Sequence, residues 1–579
     1  MDEKKTGYAS IDKPWRKYYA KEEMEVAVPE GTMFDYLYYS NSSNKNDIAI
    51  EYYGHKYTYQ ELFDLIDRCC RNLTALGIKK GSVVTVQAIS LPQVVVLLYA
   101  LTRIGACGNM IYPDAKAKEV IASMKKTHSQ LLVVVDKILS TYEEELPDSF
   151  SKRVLVLNIA DQMSFIPRMI AIRKAAYRRK NLKLHTVMWR EFINGEGQTY
   201  QENHDAEVPA VMLRTGGTTG IPKEVVLNSK CFNTIAEATL HSQLCSKWER
   251  QKTSLLLLPP FIAFGIGSGI HHPLVFGTKL IIALNVSPAA VSKLFRKYRP
   301  NYVTAGTVQI EQFVRDWEKR KKTLNYLDLL AIGGEAMNET FEEKLQSFLK
   351  AHHSNIKPTK GYGLTETAGS VIAETLLAKK NGSVGIPLPL NNMKIVDPNT
   401  GAELKYNELG EICLSGPSIM QEYYGKKEAT EEIIEVIDGQ KWLHSGDIGY
   451  ISEDGLLTIT GRIKRIIICR EGTVFHKVFP LLIEDQLSTV PGVREISIVG
   501  RPDAITGNVL VAYVVPTVHE EIEKVICSLK EFCSCNLDSY ERPMEYYSLN
   551  ELPRTLIGKV DYRALEKRAE QESSRFIEM

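Results

Sequence analysis

The sequence has almost no excess of either charge. Its 579 residues contain 71 lysines and arginines against 70 aspartates and glutamates. A protein that binds nucleic acid usually carries a basic face or a clear net positive charge, so this balance predicts no nucleic-acid partner. The composition, 44% hydrophobic and 24% charged, is that of an ordinary globular protein. A chain of this length is expected to form two or more domains.

The sequence also lacks the marks of an exported, membrane-spanning or zinc-binding protein. Its N-terminus has no apolar core of the kind found in secretory signals. The most apolar stretch, residues 94–104, is interrupted by Arg103 and is too short to cross a bilayer. The ten cysteines show neither C-x2-C spacing nor a nearby histidine cluster, which favours free thiols in a reducing compartment. These features predict a cytoplasmic protein.

One basic segment stands apart from this balanced background. Residues 168–183 carry seven lysines and arginines among apolar side chains. A basic amphipathic helix can lie on an anionic membrane, so weak peripheral membrane contact is one interpretation. A solvated surface helix in an insertion is the simpler alternative.

Short apolar strands alternate with helical segments up to about residue 387. A strand passing into an amphipathic helix is predicted over 56–66, an apolar helix over 92–102 and a buried strand over 131–135. Such alternation predicts an α/β fold, with mixed, largely parallel sheets flanked by helices. Further apolar strands are predicted at 254–258, 279–283, 302–305 and 329–332.

After residue 387 the pattern changes to short strands joined by turns rich in glycine, asparagine and aspartate. We interpret residues 388–463 as a β-rich subdomain of a large N-terminal domain spanning 1–463. Residues 464–579 are predicted to form a small, mobile α+β domain. Its predicted elements are helices at 479–487 and 520–532 and strands at 495–499 and 509–515.

A glycine-rich loop, TGGTTGIPK at 215–223, joins two apolar strands. Its glycines let backbone N–H groups converge on an anion, while hydroxyls and Lys223 add donors and charge. Pro222 before the lysine excludes the G-x4-G-K-[ST] signature, and the strand that follows excludes a dinucleotide fingerprint. The loop therefore predicts polyphosphate binding, with a plain hairpin turn as the alternative. The assigned residues are Thr215, Gly216, Gly217, Thr218, Thr219, Gly220 and Lys223.

This loop resembles the signature of the adenylate-forming superfamily, which includes acyl-CoA synthetases, peptide-synthetase adenylation domains and luciferases. The usual form is [ST]-S-G-[ST]-T-G-x-P-K-G; here Gly216 replaces the serine and Glu224 the last glycine. The resemblance covers about 58–565, and the other motifs keep the family order. They are residues 333–336, 361–367, 445–447, 461–462 and 552–561.

The resemblance implies how the nucleoside is bound. Adenine would lie against the turn 334–336 and Tyr362. Asp447 would accept hydrogen bonds from both ribose hydroxyls, and Arg462 would reach the ribose or a phosphate. The nucleoside residues are thus Gly334, Glu335, Ala336, Gly361, Tyr362, Gly363, Asp447 and Arg462.

The resemblance also implies the catalytic residues. Thr218 and Lys223 would bind the phosphates, and Thr365 would donate to the α-phosphate. Glu366 would bind Mg²⁺, which prefers carboxylates and phosphate oxygens. Lys559 would bridge the substrate carboxylate and the α-phosphate, placing a cation where charge develops in the transition state.

The implied reaction has two steps. A carboxylate attacks the α-phosphorus of MgATP to give an acyl-adenylate and pyrophosphate; the small domain then rotates about Lys464 and a thiol, usually that of coenzyme A, takes the acyl group. Residues 465–472 depart from the family pattern D/E-x-I-K-x-x-G, which leaves the thiol open. A stand-alone enzyme that loads a carrier protein is the alternative, and a nucleotide-binding pseudoenzyme is a more distant one.

The acid is predicted to be apolar, either fatty or aromatic. Amino-acid-activating members carry an aspartate in the stretch corresponding to 258–269, but this stretch contains no acidic residue. A buried ammonium without a partner would be costly. Ile262 also replaces a histidine common in acyl-CoA synthetases. The candidate acyl pocket, for which plain core packing is the alternative, consists of Phe261, Ile262, Phe264, Gly265, Gly269 and Gly333.

Overall fold

The structure is a computed structural model. It describes residues 5–146, 150, 153–164, 186–215, 223–246, 248–320, 322–334, 337, 339–471, 474–503, 506–517, 520–555 and 559–577. The basic segment 168–183 lies outside these residues, so its membrane contact stays a prediction. Among the helices in the described ranges, none combines the length and the apolar character that a membrane crossing requires.

The first sheet is parallel through its centre and antiparallel at one edge. Parallel pairing runs from Val187–Met188 to Pro209–Arg214. Glu224–Asn228 then turns back against Pro209–Arg214, so the phosphate loop joins neighbouring antiparallel strands. The strands in sheet order are Glu422–Tyr423, Glu224–Asn228, Pro209–Arg214, Cys107–Ile111, Val83–Gln87, Leu131–Val135, Val154–Leu157 and Val187–Met188.

The second sheet is also parallel through its centre, but it is antiparallel at both edges. Its central strands are parallel, and Thr359–Leu364 is followed by an antiparallel return, Gly369–Ala373. The turn between these two strands carries Glu366. The strands in sheet order are Ile386–Pro387, Gly369–Ala373, Thr359–Leu364, Leu329–Gly333, Tyr302–Gly306, Thr253–Leu256, Lys279–Ile282, Ile48–Tyr52 and His55–Thr58.

Helices cover these sheets and fill the space between them. Pro92–Arg103 is buried along almost its whole length, as expected of a helix without a polar face. Tyr59–Ala75 buries one face, and Thr58 caps its start by accepting a hydrogen bond from the Glu61 N–H. Within the described residues up to 351, the other α-helices are Ala9–Asp12, Lys21–Met24, Met33–Asn41, Ala117–Lys126, Trp189–Ile193, Ser229–Leu240, His272–Val275, Pro288–Tyr298, Thr307–Trp317 and Glu339–Ala351.

Antiparallel strands dominate the region after residue 387, as the sequence predicts. The third sheet comprises Asn392–Val396, Gly410–Ser415, Gln440–Ile451, Ile434–Ile437 and Leu457–Arg462. A short helix, Lys427–Glu431, precedes the last three of these strands in the chain. The third sheet positions the candidate ribose site, because Asp447 and Arg462 are paired across two neighbouring strands.

The last part of the chain has its own small core. A turn at Ile463–Arg465 connects the third sheet to it. The strand predicted over 495–499 is longer in the structure, Val493–Asp503, because it pairs with Gly507–Pro516 along its full length. The other elements are strands Ile467–Glu471, Val474–Val478 and Glu545–Ser548 and helices Pro480–Leu487, Ile522–Asn536 and Tyr562–Ile577. The predicted α/β fold with a smaller α+β module is confirmed.

Candidate active site

Hydrogen bonds hold the two ends of the phosphate loop together. The Thr215 N–H donates to the Lys223 carbonyl at 3.0 Å, and the Lys223 N–H donates to Thr215 Oγ1 at 3.2 Å. The loop therefore begins and ends at one point of the first sheet. Between these ends, Gly216, Gly217, Thr218, Thr219 and Gly220 lie outside the described residues, as do Glu335 and Ala336 of the predicted adenine turn.

Glu224, which replaces a family glycine, is buried in an ion-paired cluster directly after the loop. Its carboxylate contacts the Lys126 ammonium, and its second oxygen lies 3.9 Å from Arg214 Nε. Arg214 and Glu224 are also paired in register across the two strands. Two cations thus offset a carboxylate that would otherwise repel a bound phosphate.

Lys223 and Glu366 both contact one tyrosine, Tyr423. The Lys223 ammonium lies 4.4 Å from the centre of the Tyr423 ring. The Tyr423 hydroxyl donates to Glu366 Oε1 at 2.6 Å. Burial and the adjacent Glu366 carboxylate raise the pKa of Tyr423, so this hydroxyl stays a donor. No motif in the sequence marks Tyr423, because the contact joins residues 57 positions apart.

A buried carboxylate forms the centre of the predicted ribose site. Asp447 is only 3% exposed. Arg462 Nε lies 2.7 Å from its Oδ1, and the Tyr362 hydroxyl donates to its Oδ2 at 2.7 Å. Burial raises the pKa of Asp447, and Arg462, Tyr362 and Lys559 oppose the rise. The structure therefore brings together residues from three of the predicted motifs.

Glu411 supports the turn before Asp447. Its carboxylate accepts from the Gly446 N–H at 3.0 Å and contacts His444 Nδ1 at 2.9 Å. The hydrogen bond to Glu411 raises the pKa of His444. Glu411, Cys413 and His444 have metal-binding atoms within 4.8 Å of one another. The hydrogen bonds of Glu411 already explain why these three side chains lie close together. We therefore interpret the cluster as one that stabilises the backbone just before Asp447.

Lys559 lies in a hairpin of the last module. The Thr555 N–H donates to the Lys559 carbonyl at 2.7 Å, and Arg554 and Val560 form a bridge around it. Its positive charge opposes the rise that burial causes in the pKa of Asp447.

The predicted hinge residue, Lys464, is the middle residue of the turn Ile463–Arg465. Its neighbour Arg465 is anchored in the last module, where it pairs with Glu484 at 2.7 Å and lies 3.6 Å from the Tyr562 ring centre. The chain before Lys464 thus belongs to the third sheet and the chain after it to the last module.

The predicted acyl-pocket segment contains a turn of π-helix, Gly265–His271. Such turns are rare and frequently occur at functional sites. Two of its glycines are needed for packing: a Cβ on Gly265 would lie 1.9 Å from the Pro259 carbonyl oxygen, and one on Gly269 would lie 2.8 Å from Leu256. These contacts favour the packing interpretation for Gly265 and Gly269.

Phe261 and Phe264, two aromatic residues of the predicted acyl pocket, lie just before this π-helical turn. The Phe264 ring packs against Gly333, where a Cβ would approach to 3.1 Å. Phe261 meets Tyr112 edge to face, with the ring centres 5.2 Å apart. Phe261, Ile262 and Phe264 are half-buried, so they can contact a ligand. Gly333 ends the strand before the predicted adenine turn, so Phe264 connects the predicted acyl-pocket segment to the start of that turn.

A buried histidine, His271, ends the π-helical turn, and no sequence motif marks it. The two ring nitrogens of His271 contact the Tyr99 hydroxyl at 3.1 Å and Asn233 Oδ1 at 3.0 Å. Burial lowers the pKa of His271 to about 3, so the ring is neutral near pH 7. Neutral polar groups with satisfied partners are compatible with an apolar ligand nearby.

Two family models match this chain. The model named AMP-binding enzyme matches residues 38–424, and the model named AMP-binding enzyme C-terminal domain matches residues 482–559. Together they include the phosphate loop, the predicted magnesium ligand and Lys559.

Curated relatives and solved structures agree with these matches. The long-chain-fatty-acid–CoA ligase of Bacillus subtilis strain 168 is 25% identical over 575 residues, which is 96% of this chain and 97% of that protein. The 4-coumarate–CoA ligase 1 of Arabidopsis thaliana is 26% identical over 88% of this chain and 87% of that protein. ATP-bound MatB from Rhodopseudomonas palustris has a TM-score of 0.78 at 20% identity, covering 94% and 99% of the two chains, and so shows the same fold.

Proposed function

Because the chain belongs to the AMP-binding enzyme family, we propose that it is an AMP-forming acid–thiol ligase whose substrates are ATP, a carboxylic acid and coenzyme A. The observation that carries the proposal is the contact of the buried Asp447 carboxylate with Arg462 and with the Tyr362 hydroxyl, each at 2.7 Å. It brings three of the residues proposed to bind the nucleoside to one site.

The residues around the site fit magnesium ATP. Glu366 gives one carboxylate oxygen to the Tyr423 hydroxyl and has a second oxygen to offer to a divalent cation. Lys223, which lies over the ring of the same tyrosine, supplies positive charge for the terminal phosphates. Asp447 would accept hydrogen bonds from the ribose hydroxyls, since an ionised carboxylate has about four acceptor positions. Bound Mg²⁺ would neutralise phosphate charge as pyrophosphate leaves.

The first step needs no general base, because the attacking carboxylate is already ionised. Its oxygen forms a bond to the α-phosphorus as the bond from that phosphorus to the β-phosphate oxygen breaks, giving acyl-AMP and pyrophosphate. We assign to Lys559 the stabilisation of the charge that develops on the α-phosphate oxygens. In the second step a thiol sulfur replaces AMP at the acyl carbon, and the thiol proton goes to solvent.

The acid is proposed to be apolar. Relatives are named for a long-chain fatty acid and for 4-coumarate, and both acids are apolar along most of their length. Phe261 and Phe264 offer aromatic surface to such a group. The segment from residue 258 to residue 269 contains no acidic side chain for an amino group.

Coenzyme A is the proposed acceptor, and a carrier-protein thiol is the alternative. The cytoplasmic placement and the membrane contact of residues 168–183 also stay proposals. Liposome flotation with anionic lipid tests the membrane contact, and failure to float would remove it.

Pyrophosphate release with a panel of fatty and aromatic acids tests the reaction, and mass spectrometry identifies the product with coenzyme A present. We expect a thioester from at least one apolar acid. Acyl-adenylate without thioester would favour the carrier-loading alternative. Nucleotide binding without pyrophosphate release from any acid would indicate a pseudoenzyme.

A further inference from the structure

Tyr423 is tied by its backbone to the strand that leaves the phosphate loop. The short strand Glu422–Tyr423 runs antiparallel to Glu224–Asn228, with Tyr423 opposite Val225. The Tyr423 N–H also donates to Thr430 Oγ1 at 2.9 Å. These bonds fix the position of the ring relative to the end of the phosphate loop, because Val225, the partner of Tyr423, is only two residues after Lys223.

The Tyr423 side chain contacts two charged groups that face the triphosphate in the proposed reaction. Its hydroxyl binds one oxygen of Glu366, and its ring face receives the Lys223 ammonium. Only 5% of Tyr423 is exposed, and Lys223 and Glu366 are half-buried, so both contacts are partly shielded from water. Without them, a lysine with a long flexible stem and a loop carboxylate would each sample several rotamers.

We propose that Tyr423 is a positioning residue that holds the magnesium-binding carboxylate of Glu366 and the phosphate-binding ammonium of Lys223 in place before the nucleotide arrives. The inference rests on the proposed function, since it takes Glu366 as the ligand of the metal in MgATP. The hydroxyl fixes Oε1 and thereby directs the other carboxylate oxygen. The ring face stabilises the ammonium without neutralising it, so its charge stays available to phosphate.

Two substitutions separate the hydroxyl from the ring. Tyr423→Phe removes the hydrogen bond to Glu366 and keeps the aromatic face for Lys223. Tyr423→Leu removes both. Tyr39→Phe is the matched control, because Tyr39 is 69% exposed and lies on the helix Met33–Asn41, away from these contacts. Thermal unfolding identifies any variant whose fold is disturbed.

Calorimetric binding of α,β-methylene-ATP, which cannot donate its adenylyl group because its α–β bridge is not cleaved, gives a readout independent of turnover. Each protein is titrated with and without Mg²⁺, in the absence of acid. For Tyr423→Phe we expect the affinity gained from Mg²⁺ to fall by roughly tenfold, because a hydrogen bond to a charged group is lost. Its metal-free affinity should match that of the parent. Tyr423→Leu should show the same loss and, in addition, a metal-free affinity roughly threefold below that of the parent, because Lys223 loses its contact with the ring.

A double-mutant cycle with Glu366→Gln shows whether Tyr423 acts through Glu366. In the Glu366→Gln background, Tyr423→Phe should change the Mg²⁺-dependent affinity by less than twofold. A full additional loss in that background would overturn the inference, as would equal Mg²⁺-dependent affinities of Tyr423→Phe and the parent. If the parent itself gains no affinity from Mg²⁺, the proposed function fails instead.

Discussion

The two ends of the candidate active site are built in different ways. At the nucleotide end, side chains bind one another: Asp447 is held by Arg462 and Tyr362. At the acyl end, the backbone determines the shape of the predicted pocket, through the π-helical turn Gly265–His271 and the contact of Phe264 with Gly333. Polar groups of fixed geometry tolerate few replacements and leave a sequence motif, whereas packed apolar surfaces accept many combinations.

The largest expected effect tests whether charge dominates the nucleotide end. Lys559→Ala should slow acyl-adenylate formation by about 100- to 1,000-fold, since a preorganised cation at the α-phosphate is lost. Pyrophosphate release measures this step. Lys567→Ala, an exposed lysine of the same module, is the control. Adenylation at the parental rate in Lys559→Ala would remove the proposed role of the C-terminal module.

Asp447→Asn tests the ribose site. The amide cannot accept from Arg462 and from a diol as a carboxylate does, and it leaves Arg462 without its charged partner. We expect the KM for ATP to rise by about 10- to 100-fold, with a smaller change in KM for the acid. Asp438→Asn, in an exposed turn, is the control. Equal increases in both KM values would show that the two ends are not independent.

Phe264→Ala tests the acyl end alone. Removing the ring that covers Gly333 should open space next to the acyl group. We expect the preference among acids to shift toward bulkier ones by about tenfold in kcat/KM, while KM for ATP changes little. An unchanged preference among acids would show that Phe264 only packs in the core and does not contact the acyl group. A parallel rise in KM for ATP would instead place its ring at the adenine.

Tyr362, Asp447 and Arg462 could be singled out from the sequence because each belongs to a short motif. The structure pairs Asp447 and Arg462 across two neighbouring strands, and their roles toward the nucleotide stay predictions. Tyr423 and His271 could not be predicted in this way. Tyr423 acts through neighbours distant in the chain, and a histidine within an apolar run is as readily interpreted as ordinary core.

The fold was predictable for a related reason. Buried parallel strands appear as continuous apolar runs, so residues 131–135 match the strand Leu131–Val135 without error. The π-helical turn gave no such signal. Its path depends on glycines at Gly265 and Gly269 that fit against Pro259 and Leu256, and those contacts exist only once the chain has folded.

The smallest expected effect is on stability rather than turnover: it is the contribution of His271, at the acyl end, to the pH dependence of unfolding. Burial lowers the pKa of His271 to about 3, from an ordinary value of 6.5. Between those values the unfolded chain binds a proton that the folded chain does not. The free energy of unfolding should therefore fall as the pH is lowered, by about 1.4 kcal/mol per pH unit for this one group. His272 is shifted in the same direction and adds to the slope.

Urea unfolding at several pH values between about 7 and 5 measures this slope against the parent. His271→Gln should reduce this slope by about 1.4 kcal/mol per pH unit, which corresponds to one bound proton, because glutamine does not titrate. The substitution His353→Asn, at an exposed position, should leave the slope unchanged. Asparagine suits that control because His353 has a φ of 57°. If His271→Gln kept the parental slope, His271 would be protonated in the folded protein. A charged imidazolium beside the acyl end would then argue against an apolar acid, since its buried charge would lack a partner.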